Sequence, residues 1–587
     1  MLIMNINLKY LKFIIILYLS AYLNIYSAPA PNHSLAKSIY QTSQRFYPEV
    51  GHNGAVATQE ANATKVGLDI LKQGGNAIDA AVAIGYTLAV TLPRAGNIGG
   101  GGFMTIWLNK EQKAYVINYR ETAPKNINIK EINQIYNTDK NKFIYSYKSS
   151  GVPGTVAGLN LAAQKFGIIG KKDFPKLIKP AIALAQNGFP MDYYFLNNFK
   201  NAKNILSKDP ESKKIFLNQI DKSFIGKKFI QSQLADTLKL IAKNKNNGFY
   251  QGKTADLITS AMTDKNFGGY ISKNDLKNYK AKLSEPIIIN YNNYKIIAPP
   301  PPSGGIILAE QLNILSALDT KDLDLPNNSA KYFHYLTEIM NLSYIDRNYT
   351  LGDPNFINLN LEKLLSKKYT NNLAKKIDPD THTPAIDKSS WHEGQNTTHF
   401  VVIDKDLNVV SNTYTLNGEY GANKIIPGAG FFLNNELDDF AIDEKPNLYG
   451  LMQGKNNTIA ANKQPISSMT PVIILDKNNI PVFATGSPGG SHIITSVFQI
   501  ILNIINYKND IATAVAAPRI HSQLSPDILF YEDGISIDTV EKLNKMGHVT
   551  QKEIAMGSAQ SIYYDNANKL FMSYADPRRA GALAMAY

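Results

Sequence analysis

A mixed α/β chain with a layered core is what this sequence predicts, and three observations carry the prediction. Residues 77–90 (AIDAAVAIGYTLAV) are apolar almost all round, which suits a helix buried between other layers and not one on a surface. Residues 397–417 alternate as two Val/Thr/Tyr-rich strands joined by the turn-rich loop DKDLN, a β-hairpin pattern. Elsewhere, glycine and proline turns separate further strand-like runs from helical ones. At 587 residues the chain exceeds the usual limit of about 250–300 residues for one core. It contains no Pro/Ser-rich or charged linker, so one interwoven unit and two domains both remain open. A hydrophobic content of 44% with 33 tyrosines is enough for a large core.

Lys9 and Lys12 precede an apolar run, Phe13 to Leu23, and then small residues around Ser27, Ala28 and Ala30. The run is too short to span a bilayer comfortably and reads as a signal peptide, residues 1–27, cut after Ser27; an uncleaved anchor is the alternative. Export to the periplasm or medium is therefore expected. Cysteine is absent, which excludes disulfides, cysteine nucleophiles and thiolate metal sites. The net charge of +13 is carried by lysines scattered among Asn and Ile, a solvated surface and not a nucleic-acid site.

Taken in order, residues 60–71 show helical spacing and stop at Gly74-Gly75, and Asn76 is placed to cap the apolar helix over 77–90. Asn97 to Phe103 brings four consecutive glycines ahead of a strand at 104–108, a backbone that something approaches closely, either a tight turn or a ligand. Residues 115–124 form a strand ending in Arg120, able to fork onto a carboxylate, although an arginine there commonly makes a surface ion pair. From about 159 to 284 the pattern is helical scaffold. Residues 340–390 read as polar and turn-rich, a flexible approach to Thr397.

The hairpin carries the chemistry. If Ile403 pairs with Val409, Thr397 faces Thr415 and Asn417 lies one step diagonally away, so two hydroxyls and an amide meet at one strand end. A threonine hydroxyl needs a base, and its own N-terminal amine is a suitable one, with an ordinary pKa of about 7.7–8.0. That use requires cleavage between Asn396 and Thr397. Downstream, LNNELDDF (433–440) puts three carboxylates, Glu436, Asp438 and Asp439, within four residues, enough to hold an ammonium group. Ser467 and Ser468 are paired hydroxyls, and the glycines of TGSPGGSH (485–492) present N–H groups ahead of a helix, as an oxyanion hole requires. Other motifs fail: His392-Glu393-Gly394-Gln395-Asn396 lacks the last ligand of a zinc-protease signature, and Ser487 lacks nucleophile-elbow spacing. Nine histidines without a close pair in a helical stretch argue against a catalytic metal.

Together NxGGGGF (97–103), YRETAP (119–124), GVPGT (151–155), PPPSGG, TTHFVVID, TYTLNGEYG, LNNELDDF, PISSMTP, TGSPGGS and ADPRR resemble the gamma-glutamyltransferases, in family order from about residue 50 to the C-terminus. The resemblance implies an Ntn-hydrolase fold, a four-layer αββα sandwich whose precursor cuts itself into a large subunit (28–396) and an interwoven small subunit (397–587). It implies Thr397 as nucleophile with Thr415 hydrogen-bonded to it, and Gly489 and Gly490 as oxyanion donors. Arg120, Ser467 and Ser468 would bind the glutamyl α-carboxylate, and Asn417, Glu436 and Asp439 its α-amine. Tyr449, in a lid at 445–451, would be the gate. The implied substrate is glutathione or another gamma-glutamyl compound, with water, an amino acid or a peptide as acceptor, and no cofactor. A cephalosporin-type acylase of the same fold and an unprocessed gamma-glutamyl-binding protein are the alternatives.

Overall fold

The alternation that marks the hairpin in the sequence sorts the whole molecule into layers. In the computed structural model, which describes residues 47–220, 223–318, 326–385, 396–443 and 445–587, Phe400 and Val402 point into one hydrophobic core while Val401 and Ile403 point into another. Neighbouring strands repeat the division: Val56 against Ala55 and Ala57, Val410 against Val409, and Ile106 against Trp107. These central strands are buried on both faces because a helical layer covers one and a second sheet the other.

Two seven-stranded sheets result, with every pairing antiparallel. The first runs Leu583–Ala586, Gly54–Thr58, Thr398–Asp404, Val409–Thr415, Gly101–Leu108, Lys113–Asn118, Lys282–Ser284. The second runs Glu49–Gly51, Leu570–Ala575, Gln560–Asp565, Pro481–Gly486, Val472–Leu475, Tyr294–Ala298, Ile287–Tyr291. Their facing sides share a core of Ala55, Val401, Ile473, Ala484 and Ile562. Helices Ala61–Lys72, Ala77–Thr91 and Thr155–Phe166 cover the first sheet; Gly305–Ala317, His492–Ile505 and Ile511–Ala516 cover the second. This is the expected αββα order. The described residues, from Tyr47 to Tyr587, belong to one compact unit and not two.

The helix Ala77–Thr91 is buried at all fifteen positions because it lies between the first sheet and the helices Ala61–Lys72 and Phe174–Asn187. Asn76 caps it reciprocally with Asp79, and Asp404, at the end of the Thr397 strand, accepts from the Ala77 N–H at 2.9 Å. Residues 340–349 correct the turn-rich reading, since they lie in the helix Ala330–Tyr349, and short helices follow at Leu361–Leu365 and Lys367–Ala374. The 1–27 leader and the approach at 386–395, including the rejected His392 motif, fall outside the described residues. Among those described, no helix is long and apolar enough to cross a membrane.

Candidate active site

The hairpin register is the one read from the sequence: Ile403 opposes Val409 and Thr398 opposes Tyr414. One step beyond, the Thr397 hydroxyl donates to Thr415 Oγ1 at 3.1 Å, and the Asn417 N–H donates to the same oxygen at 2.9 Å. The four-glycine run serves this strand. A Cβ at Gly100 would lie 1.9 Å from the Thr415 carbonyl oxygen, so the close approach is by backbone and not by a ligand.

Thr397 itself has φ +82°, a left-handed conformation that a β-branched residue rarely adopts and that costs of order 1–3 kcal/mol. The peptide bond before it is held from the other side, since the Gly489 N–H donates to the Asn396 carbonyl at 3.2 Å. Gly489 and Gly490 have φ +130° and +56°, and a Cβ on Gly490 would press into the Tyr449 ring at 2.9 Å. A strained threonine, a hydroxyl partner and a backbone donor on the preceding carbonyl thus meet at one bond.

Beside that bond lies a small cavity, about 20 Å³ with the ion pairs in place, lined by Thr397, Thr415, Asn417, Ser467, Ser468, Gly490 and Tyr449, and by Arg120, Arg347, Glu436 and Asp439. The residues the resemblance assigns to the site therefore border one space or, like Gly489 and Asn396, adjoin it, whereas Asp438, the third carboxylate of the 433–440 run, does not line it and accepts instead from Tyr136 and the Leu448 N–H. Arg120 is not the surface ion pair common at a strand end. The strand stops at Asn118, and the fully buried guanidinium binds Glu436 Oε1 and Asp439 Oδ2, the latter at 2.7 Å. Pro465 and Ile466 carbonyls take two more of its donors at 3.3 and 2.9 Å. A third carboxyl, Glu121, stands 3.8 Å away. Burial would lower the Arg120 pKa, but Glu436, Asp439 and Glu121 together raise it. Burial pushes Glu436 well above the ordinary carboxylate range and Glu121 up to about 8, against the pull of Arg120.

Sequence reading missed Arg347, near the end of the helix Ala330–Tyr349, whose guanidinium donates to Ser468 Oγ at 2.9 Å. The segment expected to be a lid is pinned at three points. Asn447 Nδ2 donates to Asp439 Oδ1 at 2.9 Å, the Leu448 N–H donates to Asp438 at 2.7 Å, and the Tyr449 hydroxyl donates to the Asn417 carbonyl.

The family model for Gamma-glutamyltranspeptidase matches residues 63–586. The chain belongs to the gamma-glutamyltranspeptidase family. It is 40% identical over 550 residues to a glutathione hydrolase proenzyme of Escherichia coli K12, covering 92% of this chain and 93% of that one. It is 38% identical over 579 residues to a glutathione hydrolase proenzyme of Bacillus subtilis 168, covering 94% and 95%. Among solved structures, a cephalosporin acylase from Bacillus halodurans superposes with a TM-score of 0.81 at 25% identity, over 93% of this chain and 98% of that one. A gamma-glutamyltranspeptidase from Pseudomonas nitroreducens, complexed with L-DON, gives 0.51 at 38% identity over 55% of this chain and 94% of that one. The sandwich is thus the Ntn-hydrolase fold of the gamma-glutamyltranspeptidases.

Proposed function

We propose that this chain is an exported gamma-glutamyl transferase and glutathione hydrolase that matures by cutting itself before Thr397. The observation that supports this most is the geometry of the 396–397 bond, whose carbonyl is hydrogen-bonded to Gly489 beside a strained Thr397. In maturation Thr397 Oγ adds to the Asn396 carbonyl carbon, the negative oxygen faces the Gly489 N–H, and the C–N bond breaks as the nitrogen takes up a proton. Water then hydrolyses the resulting ester, leaving an Asn396 carboxylate and a free Thr397 amine. The products are a large chain ending at Asn396 and a small chain of residues 397–587.

In turnover the freed amine takes the Thr397 hydroxyl proton while the oxygen attacks the γ-carbonyl of the donor. The leaving amine, cysteinylglycine in the case of glutathione, receives that proton and departs, and the γ-glutamyl group remains as an ester on Thr397. Water or an acceptor amino acid or peptide then takes it. The cavity suits a zwitterion held at both charges. The α-carboxylate replaces Glu436 and Asp439 on Arg120, helped by Ser467 and Ser468, while those two carboxylates and Asn417 receive the α-ammonium. The exchange is neutral in charge, so the buried ion pairs are re-partnered and not stripped.

The same fold in a cephalosporin acylase gives the second reading. A glutaryl group has no α-ammonium, and the carboxyl-rich wall of this cavity favours the glutamyl substrate over it. Intact mass and gel analysis of purified protein, beside Thr397→Ala, test the proposal. Two chains in the wild type, the smaller beginning at Thr397, with an uncut variant and gamma-glutamyl anilide turnover confined to the wild type, are expected. A wild type that stays one chain has no N-terminal threonine and overturns it in favour of an unprocessed binding protein.

A further inference from the structure

Outside the cavity, three of the nine histidines converge in the layer that covers the second sheet. His334 and Glu338 lie four residues apart in the helix Ala330–Tyr349, on one face of it. His548 reaches them from the turn after the helix Ile537–Lys545, and one ligand atom from each of the three lies within 4.8 Å of the others. All three side chains are buried.

The hydrogen bonds around this trio are those of a prepared ligand set. His334 Nε2 lies 2.8 Å from the Asp378 carbonyl oxygen, which only accepts, so the proton sits on Nε2 and Nδ1 accepts from His548 Nε2, 2.8 Å away, whose proton a bound metal ion would displace. His382 bridges two carboxylates, with Nδ1 2.6 Å from Glu338 Oε1 and Nε2 2.9 Å from Asp527 Oδ1. The second Glu338 oxygen has only a long 3.4 Å approach from the Thr383 N–H, which leaves it available as a ligand. An imidazole oriented by a backbone carbonyl, and a ligating carboxylate oriented by a further histidine and aspartate, are the outer-shell arrangement metal sites use.

We propose that His334 Nδ1, the Glu338 carboxylate and His548 Nε2 bind a divalent zinc ion, with His382 and Asp527 as the outer shell. Two imidazoles and one carboxylate suit zinc over calcium or magnesium, which prefer all-oxygen sites. Tetrahedral zinc, with bonds of about 2.0–2.1 Å, sets its ligand atoms about 3.3 Å apart, so the His334–His548 pair opens by roughly half an ångström to admit it. The site joins chain on both sides of the 396–397 bond, with His334, Glu338 and His382 before it and His548 and Asp527 after it. It also braces the helix that ends at the Arg347–Ser468 contact, about 14 Å from Glu338 along the axis at 1.5 Å per residue. Its role is structural, clamping the two parts of the chain, and it stands whether or not the bond is cut.

The test uses the full protein, stripped with a chelator and titrated with zinc against a chromophoric competitor, beside His548→Gln and the double variant His334→Gln/His548→Gln. One zinc per wild-type chain, at least tenfold weaker binding in each variant, and a zinc-dependent rise in Tm present only in the wild type are expected. Equal zinc binding by wild type and variants, or none by the wild type, overturns the site. If the variants do not fold, cobalt titration of the wild type decides: visible bands of a four-coordinate nitrogen/oxygen site support it, and the weak bands of the hydrated ion sink it.

Discussion

Two buried clusters of arginine and carboxylate lie in this molecule, and they are built to opposite rules. In one, Arg519 and Arg578 meet Glu532 and Asp576: Arg519 binds Asp576 at 2.7 Å, and Arg578 binds Glu532 at 2.7 Å and Asp576 at 3.1 Å. Backbone N–H groups of Arg519, Met556 and Ala559 complete the carboxylates. Two positive groups face two negative ones. Although burial acts to raise the Asp576 pKa, Arg578 and Arg519 hold it below its ordinary value. In the other, Arg120 faces Glu121, Glu436 and Asp439; Glu436 Oε2 and both Glu121 oxygens find no hydrogen-bond partner, and two carboxyls are pushed up instead of down. The first cluster is balanced in charge, and only Arg519 Nε in it lacks a hydrogen-bond partner. The second is short of a cation and borders a cavity, and in the proposed function the substrate ammonium supplies that cation.

The contrast is sharpened first at Asp439. Asp439→Ala removes the proposed ammonium ligand while leaving Arg120 paired with Glu436, so kcat/KM for a gamma-glutamyl anilide should fall about 10³-fold, ~4 kcal/mol, with little change in Tm. Unchanged kinetics would break the reading of this cluster as a binding site. Arg578→Ala does the reverse. It strands Glu532 without its arginine, while Asp576 keeps Arg519, and costs about 3 kcal/mol of stability, read as a lower denaturant midpoint. A variant as stable as the wild type would remove the distinction between the clusters.

What the sequence could show of each cluster follows from distance along the chain. The Thr397–Thr415 pairing is local, set by period-two alternation and a short loop, and so is the Asn76 cap. Arg120 could be named from its motif but not placed: its partner Glu436 is 316 residues away, and nothing near Arg120 in sequence announces burial. Arg347 was hidden for another reason. The helix carrying it is buried on nearly every side, and its polar positions (Asn341, Ser343, Asp346, Arg347, Asn348) give no amphipathic period, so the stretch reads as turns. The histidines of the proposed zinc site were missed likewise, because only the fold gathers His548 onto His334 and Glu338. In each case, the side chains that do chemistry by meeting across the fold are those local pattern cannot place.

Asp438 tests the lid's attachment through pH. Burial raises its pKa to about 6, against Lys140 and the Leu448 N–H that favour its charge. Because the folded pKa exceeds the unfolded one, the unfolded chain loses the proton first. The stability linked to Asp438 is therefore complete below about pH 4 and lost as pH rises through 6. In Asp438→Asn, whose side-chain oxygen still accepts from Leu448, that decline is absent. The wild type should lose roughly 2 kcal/mol more than the variant between pH 4 and 6.5, and parallel pH profiles would show that Asp438 stays ionised throughout.

The smallest effect separates the two ways Tyr449 can hold the lid. Burial raises its pKa, so the hydroxyl is protonated at neutral pH and donates to the Asn417 carbonyl, while the ring packs on Gly490. Tyr449→Phe keeps the ring and removes the donation to Asn417 together with a long 3.4 Å acceptance from Asn396 Nδ2, a loss of about 1 kcal/mol. The lid should open more often with the pocket otherwise intact, so KM for the anilide rises about fivefold at nearly constant kcat. Tyr449→Ala loses the ring contact as well and goes further. If Tyr449→Phe matches the wild type while Tyr449→Ala does not, the ring against Gly490 holds the lid, and the open cluster around Arg120 is closed by packing and not by a polar latch.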